Sequence, residues 1–136
     1  TMYHGDTSQK TLWASDYDTQ TGTPSNPRVF ARTTEGTGPD GATVDREGFL
    51  WCAIHGAGKV LRFDPSGRVE REVRMPVQYP TMPAFGGEGL KTLFVTSANH
   101  TLSDEEKRQR PEEGNLFAFE APVPGIPSAD FRPPGR

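Results

Sequence analysis

Few residues in this chain have both the type and the setting for chemistry, and Asp40 stands first among them. It lies between Pro39 and Gly41 in a P-D-G triplet. Proline fixes the backbone on one side, while glycine on the other permits unusual angles and leaves room for close approach. A carboxylate so placed has two readings. It can simply close a turn, as Asp before Gly commonly does. It can also offer oxygen to a hard cation, or take a proton from a nucleophile. The residue pattern alone leans toward the turn.

Two further residues are candidates for binding a ligand. Thr81 precedes the A-F-G-G stretch at the place that Asp40 holds before its own strand, so its hydroxyl is a candidate to line a pocket, with a plain β-residue as the near-equal alternative. His55 closes a strand and is a candidate rim residue, with a plain surface histidine as the equal alternative. Other chemistry is excluded or weak. His4 and His100 have no partner at metal-ligand spacing, and no H-x-x-x-H pair exists. Asp16-x-Asp18-x-x-x-Gly22 lacks the twelfth-position glutamate of a calcium loop and reads as a strand end and turn. Gly56-Ala57-Gly58-Lys59 is too short for a phosphate loop, with Val60 where a hydroxyl is needed. No G-x-S-x-G elbow supports a serine nucleophile. Asn99-His100-Thr101 is a formal glycosylation sequon, meaningful only in a secreted protein.

The elements that position these residues are short strands. The chain has 136 residues, with Gly 15 and Pro 13, which favours a turn-rich β protein. Aromatics at 10% argue against disorder. A net charge of -3 argues against a nucleic-acid or anionic-membrane partner. No apolar run approaches the roughly 20 residues of a spanning helix. The opening TMYHGDTSQK has neither the basic flank nor the apolar segment of a signal peptide. Cys52 is the single cysteine, so no intrachain disulfide forms. A buried thiol, a reducing compartment and a cytoplasmic location are the expectations.

Strands are expected over 2–7, 11–18 and 28–33, with 19–27 (TQTGTPSNP) as turn. The central unit is a four-stranded antiparallel meander over 41–45, 49–55, 59–64 and 68–76, turning at D-R-E-G, G-A-G and P-S-G. The pattern then restarts over 80–87, 92–99 and 114–120, with a weak outer strand over 129–133. The pairs Tyr17-Asp18, Phe63-Asp64 and Phe119-Glu120 are equivalent. Four short strands repeating every roughly 40–50 residues are the pattern of β-propeller blades. Within the insert over 100–113, DEEKRQRPEE reads as a solvated helical turn. Trp13 and Trp51 are expected to pack between blades.

Three stretches carry a family resemblance: LWASDYDTQTGTPSNPRVFA, PDGATVDREGFLWCAIHGAGKVLRFDPSGRV and PTMPAFGGEGLKTLFVTSA. Together they resemble the senescence-marker-protein/gluconolactonase/regucalcin family of six-bladed propellers. The similarity covers nearly the whole chain, but only the family's C-terminal half. It implies an all-β fold of about three blades. Residues 1–34 would form an incomplete blade lacking its inner strand, 35–78 a complete blade, and 79–136 the last blade with the charged insert at 100–113. The expectation is a fragment of a longer parent, or a half-ring completed by another copy.

The same resemblance implies metal-dependent hydrolysis of a sugar lactone, a small-molecule substrate. Asp40 would be both metal ligand and general base. The cofactor would be a divalent cation, calcium first, with magnesium, manganese or zinc as alternatives. The family's other ligands, a glutamate from the first blade and an asparagine ahead of the incomplete blade, would precede Thr1. The chain would therefore carry only part of an active site. The competing reading is a non-catalytic half-propeller scaffold or calcium-binding module that acts through self-association.

Overall fold

Aspartate- and glycine-bearing turns cut the chain into short antiparallel strands. In D-R-E-G, Asp45 Oδ1 accepts from the backbone N–H groups of Glu47 (3.0 Å) and Phe49 (3.1 Å). In D-P-S-G, Asp64 Oδ1 accepts from those of Ser66 (2.8 Å) and Arg68 (3.1 Å). Both turns finish on a glycine at positive φ, Gly48 at 80° and Gly67 at 84°, where a side chain would be strained.

The computed structural model describes residues 1–129. Its first sheet holds β1 (Met2–Asp6), β2 (Thr11–Asp18) and β3 (Thr23–Arg32) in that order. The second is the meander β4 (Gly38–Val44), β5 (Leu50–His55), β6 (Lys59–Phe63) and β7 (Val69–Arg74). The third holds β8 (Pro80–Gly86), β9 (Thr92–Ser97) and β10 (Leu116–Glu120). A helical turn, α1 (Asp104–Gln109), interrupts the third sheet between β9 and β10. The fold is all-β, about three blades of a six-bladed propeller.

Strand β5 explains how the sheets stack. All of Leu50, Trp51, Cys52, Ala53 and Ile54 are buried, so the run is continuously apolar rather than alternating. A strand reads this way when both faces of its sheet are covered. Leu50, Cys52 and Ile54 point to one side, into a core shared with Leu12 and Phe63, against which Tyr3 and Phe30 pack. Trp51 points to the other, among Val60, Leu93, Val95 and Ala121. There its ring stands 6.3 Å, centroid to centroid, from both Phe85 and Phe119. Trp51 is thus the packing residue between sheets that its position predicted. Trp13 belongs to neither cluster and is only half-buried.

Three local expectations are corrected. The segment over 19–27 is not turn throughout, since β3 begins at Thr23 and continues through Pro24 and Pro27. It is the edge of its sheet, where proline's missing N–H interrupts no ladder on the open side. The run DEEKRQRPEE forms the expected helical turn but is not solvated throughout, since its last residue, Glu113, is buried. Strand β4 begins at Gly38 rather than at 41, so Asp40 lies inside a strand and not in a loop ahead of it; Thr81 likewise lies inside β8, which begins at Pro80 as expected. From residue 130 on, the outer strand expected over 129–133 lies outside the described residues.

Candidate functional site

Strands β4 and β8 share an irregularity, and the candidate residues sit in it. Across β4–β5, Pro39 pairs with Ile54 and Ala42 with Cys52, so Asp40 and Gly41 together face one residue of β5. Across β8–β9, Pro80 pairs with Ser97 and Met82 with Thr96, leaving Thr81 as the extra residue. Each is a β-bulge at the leading end of its strand. Bulges re-aim side chains and are common beside active sites. Asp40 and Thr81 therefore occupy equivalent points on neighbouring sheets, as their sequence positions predicted.

The Asp40 backbone is fixed from several directions while its side chain stays exposed. Thr7 Oγ1 donates to the Pro39 carbonyl at 2.8 Å. A side chain at Gly5 would press on the Asp40 carbonyl at 3.3 Å, so β1 runs close behind the bulge. Cys52 Sγ lies 3.9 Å from the same carbonyl, a long and weak thiol contact. Burial pushes the Cys52 thiol up to about 12, and the neighbouring Asp40 charge adds to that shift. Gly41 is the close approach between sheets, because a Cβ there would lie 2.8 Å from the Thr81 carbonyl.

Thr81 and His55 are placed differently. The Thr81 hydroxyl is tied to that of Thr96 at 2.7 Å, which holds its rotamer. His55 pairs with Gly38 across β4–β5, at the same end of the sheet as Asp40 but one strand further out. Its ring stacks on Tyr79 with centroids 4.9 Å apart and planes tilted by 38°. Tyr79 directly precedes β8, so the stack bridges the second and third sheets at the end where both bulges lie. Sequence reasoning did not find Tyr79, Thr7 or Glu113. Only Tyr79 had a usable signal, its place beside the Pro80-Thr81 pair.

Cation binding can be judged from the donors present. An exposed carboxylate on a fixed backbone suits a hard cation in kind. In number it falls short: among the described residues, no group of three or more His, Cys, Asp or Glu could hold a metal ion. Asp40 offers one ligand and no more. Among the described residues, no helix is long and apolar enough to cross a membrane.

The fold defines a class, that of the six-bladed propellers, of which these three sheets form a part. Residues 1–99 match the family described as SMP-30/Gluconolactonase/LRE-like region, and the chain belongs to that family. It is 44% identical over 125 residues to the 6-deoxy-6-sulfogluconolactonase of Pseudomonas putida, covering 90% of this chain and 43% of the relative. It is 38% identical over 118 residues to human regucalcin, covering 85% of this chain and 40% of the relative. The crystal structure of a calcium-binding protein, regucalcin of Agrobacterium tumefaciens, superposes with a TM-score of 0.84 at 34% identity, over 91% of this chain and 43% of that one. The chain thus spans less than half the length of the relatives it matches.

Proposed function

We propose that this chain supplies the Asp40 side of a metal-dependent site that hydrolyses a sugar lactone or a similar cyclic ester. The observation that carries the proposal is the bulge itself: β4 holds the Asp40 backbone in place and leaves its carboxylate exposed. The name of one relative, a 6-deoxy-6-sulfogluconolactonase, supports a lactone as the substrate. Calcium is the first choice of cation, since a regucalcin structure is described as calcium-binding, with magnesium, manganese and zinc as alternatives.

In this reading Asp40 does two things. Its carboxylate provides one oxygen ligand to the cation, and it accepts the proton of the attacking water. The cation, when bound, would polarise the lactone carbonyl. Thr81 and His55 line the substrate side, Thr81 by a hydroxyl held against Thr96 and His55 by a ring held against Tyr79. The remaining ligands would come from outside this chain, from further sequence or from a second copy.

The test is hydrolysis of glucono-1,5-lactone by the protein carrying this chain, with calcium or manganese present and after chelation. Asp40→Ala should lower the rate by about a hundredfold or more, the range typical of a lost general base. Because Asp40 is exposed, the melting temperature should hold. Full activity in Asp40→Ala would overturn the assignment.

A second reading rests on a different observation. Strand β1 is the edge of its sheet. An unpaired edge is a template for strand addition, so a scaffold that self-associates there is the alternative. Sedimentation of the chain with and without calcium separates the two: a dimer that binds calcium but turns over no lactone supports the scaffold.

A further inference from the structure

The insert between β9 and β10 reaches back to the segment ahead of β8 through a single buried carboxylate. Glu113 is 5% exposed. Its Oε1 accepts from the backbone N–H of Gln78 at 2.6 Å, and its Oε2 from that of Tyr79 at 3.3 Å. These partners stand 35 and 34 residues away in sequence. Glu113 is itself anchored, since its carbonyl accepts from Asn99 Nδ2 at 3.1 Å. A second strut runs alongside, with Arg110 Nη1 donating to Gln78 Oε1 at 2.7 Å.

The clamped residues are the ones that lead into the third-sheet bulge. Tyr79 carries the ring stacked on His55, and two residues further on is Thr81. A carboxylate that accepts from two successive N–H groups fixes the peptide between them, and so the direction in which the Tyr79 ring leaves the backbone. Two hydrogen bonds from successive N–H groups to one buried side chain hold that direction more firmly than a single solvent-exposed bond would. The insert is therefore a brace for one wall of the site.

We infer that Glu113 is a positioning residue for substrate binding. It sets the His55–Tyr79 stack and the approach of Thr81, and through them the fit of the lactone's ring substituents. This inference rests on the lactonase reading for its substrate, while the clamp itself does not depend on that reading. Glu113 touches neither the reacting atoms nor Asp40, so its loss should weaken binding more than the chemical step.

Glu113→Ala and Glu113→Gln test this with two readouts. The first is amide exchange at Gln78 and Tyr79 together with the ring-current shift of His55 in the chain. In Glu113→Ala both amides should lose protection and His55 should lose its stacked shift. In Glu113→Gln one carbonyl oxygen remains, so protection should return in part. The second readout is kinetic, with glucono-1,5-lactone as probe. Glu113→Ala should raise KM about tenfold with kcat within about twofold, and Glu113→Gln should recover part of the loss. Unchanged exchange and an unchanged His55 shift overturn the clamp. Altered exchange with KM and kcat both unmoved overturns the role in binding and leaves only a structural brace. If the unsubstituted protein hydrolyses no lactone, the lactonase reading fails and the binding role falls with it, while the exchange data still decide the clamp.

Discussion

Arg62 and Asp45 form an ion pair of 2.7 Å with both side chains withdrawn from solvent, 5% and 0% exposed. The same Asp45 Oδ2 accepts from Trp51 Nε1 at 2.9 Å, and Asp45 Oδ1 closes the D-R-E-G turn. Arg62 in turn lies 3.9 Å over the Phe49 ring and reaches Glu47 and Glu70 at the surface. One aspartate therefore ties a hairpin turn, the inter-sheet tryptophan and a buried cation together.

Removing one member of such a pair leaves the other as an uncompensated buried charge. Asp45→Ala should cost about 3 kcal/mol, the lower end for a broken buried pair, because Glu47 and Glu70 still hold Arg62. Adding Arg62→Met to Asp45→Ala should restore part of the loss, since a buried apolar side chain can replace a buried ion pair. Urea unfolding of the single and double variants checks this. A double variant no more stable than Asp45→Ala alone would show that the turn and tryptophan bonds, not the charge, carry the cost.

Gly41 is where the second and third sheets touch most closely beside the candidate site. A Cβ there would collide with the Met82 sulfur and meet the β8 backbone itself, the Thr81 carbonyl at 2.8 Å and Met82 Cα at 2.9 Å. Gly41→Ala should destabilise by about 1–3 kcal/mol, the range of an overpacked core, and should disturb Thr81 as it does so. Gly86→Ala is the control, because its Cβ would meet only the Phe94 ring edge, which can move. Thermal melts of both variants decide the point. Equal melting temperatures would mean that the sheets part easily at Gly41.

Most of the strand plan could be read from the chain because its signals are local. Asp followed by Gly at the D-R-E-G and D-P-S-G turns marks hairpins whichever fold surrounds them, and the apolar run at Leu50–Ile54 marks a sheet covered on both sides. The equivalence of Asp40 and Thr81 was legible for the same reason, as each follows a proline at the head of a strand. What escaped was non-local. Pro24 and Pro27 look like breakers until β3 is known to be an edge strand. Glu113 looks like one more charge in a charged run until the fold brings it to Gln78 and Tyr79. That an acidic side chain is buried against backbone N–H groups leaves no spacing to detect.

Cys52 is the remaining group whose behaviour the site constrains, since its sulfur lies behind the Asp40 carbonyl. Burial raises its thiol from an ordinary 9.0 to about 12. A folded value above the unfolded one means that the native state favours the protonated thiol. The stabilisation is then fully present below pH 9.0 and is lost as the pH rises from there toward about 12. At pH 8 iodoacetamide should modify Cys52 only as fast as the chain opens, because the thiolate is the nucleophile and the sulfur is fully buried. Across pH 8 to 10.5, roughly the window set by that shift, stability should fall more steeply in the natural chain than in Cys52→Ala. Rapid alkylation under native conditions, or parallel pH profiles for the two proteins, would show that β5 opens locally. The wall behind Asp40 would then be looser than its hydrogen bonds imply.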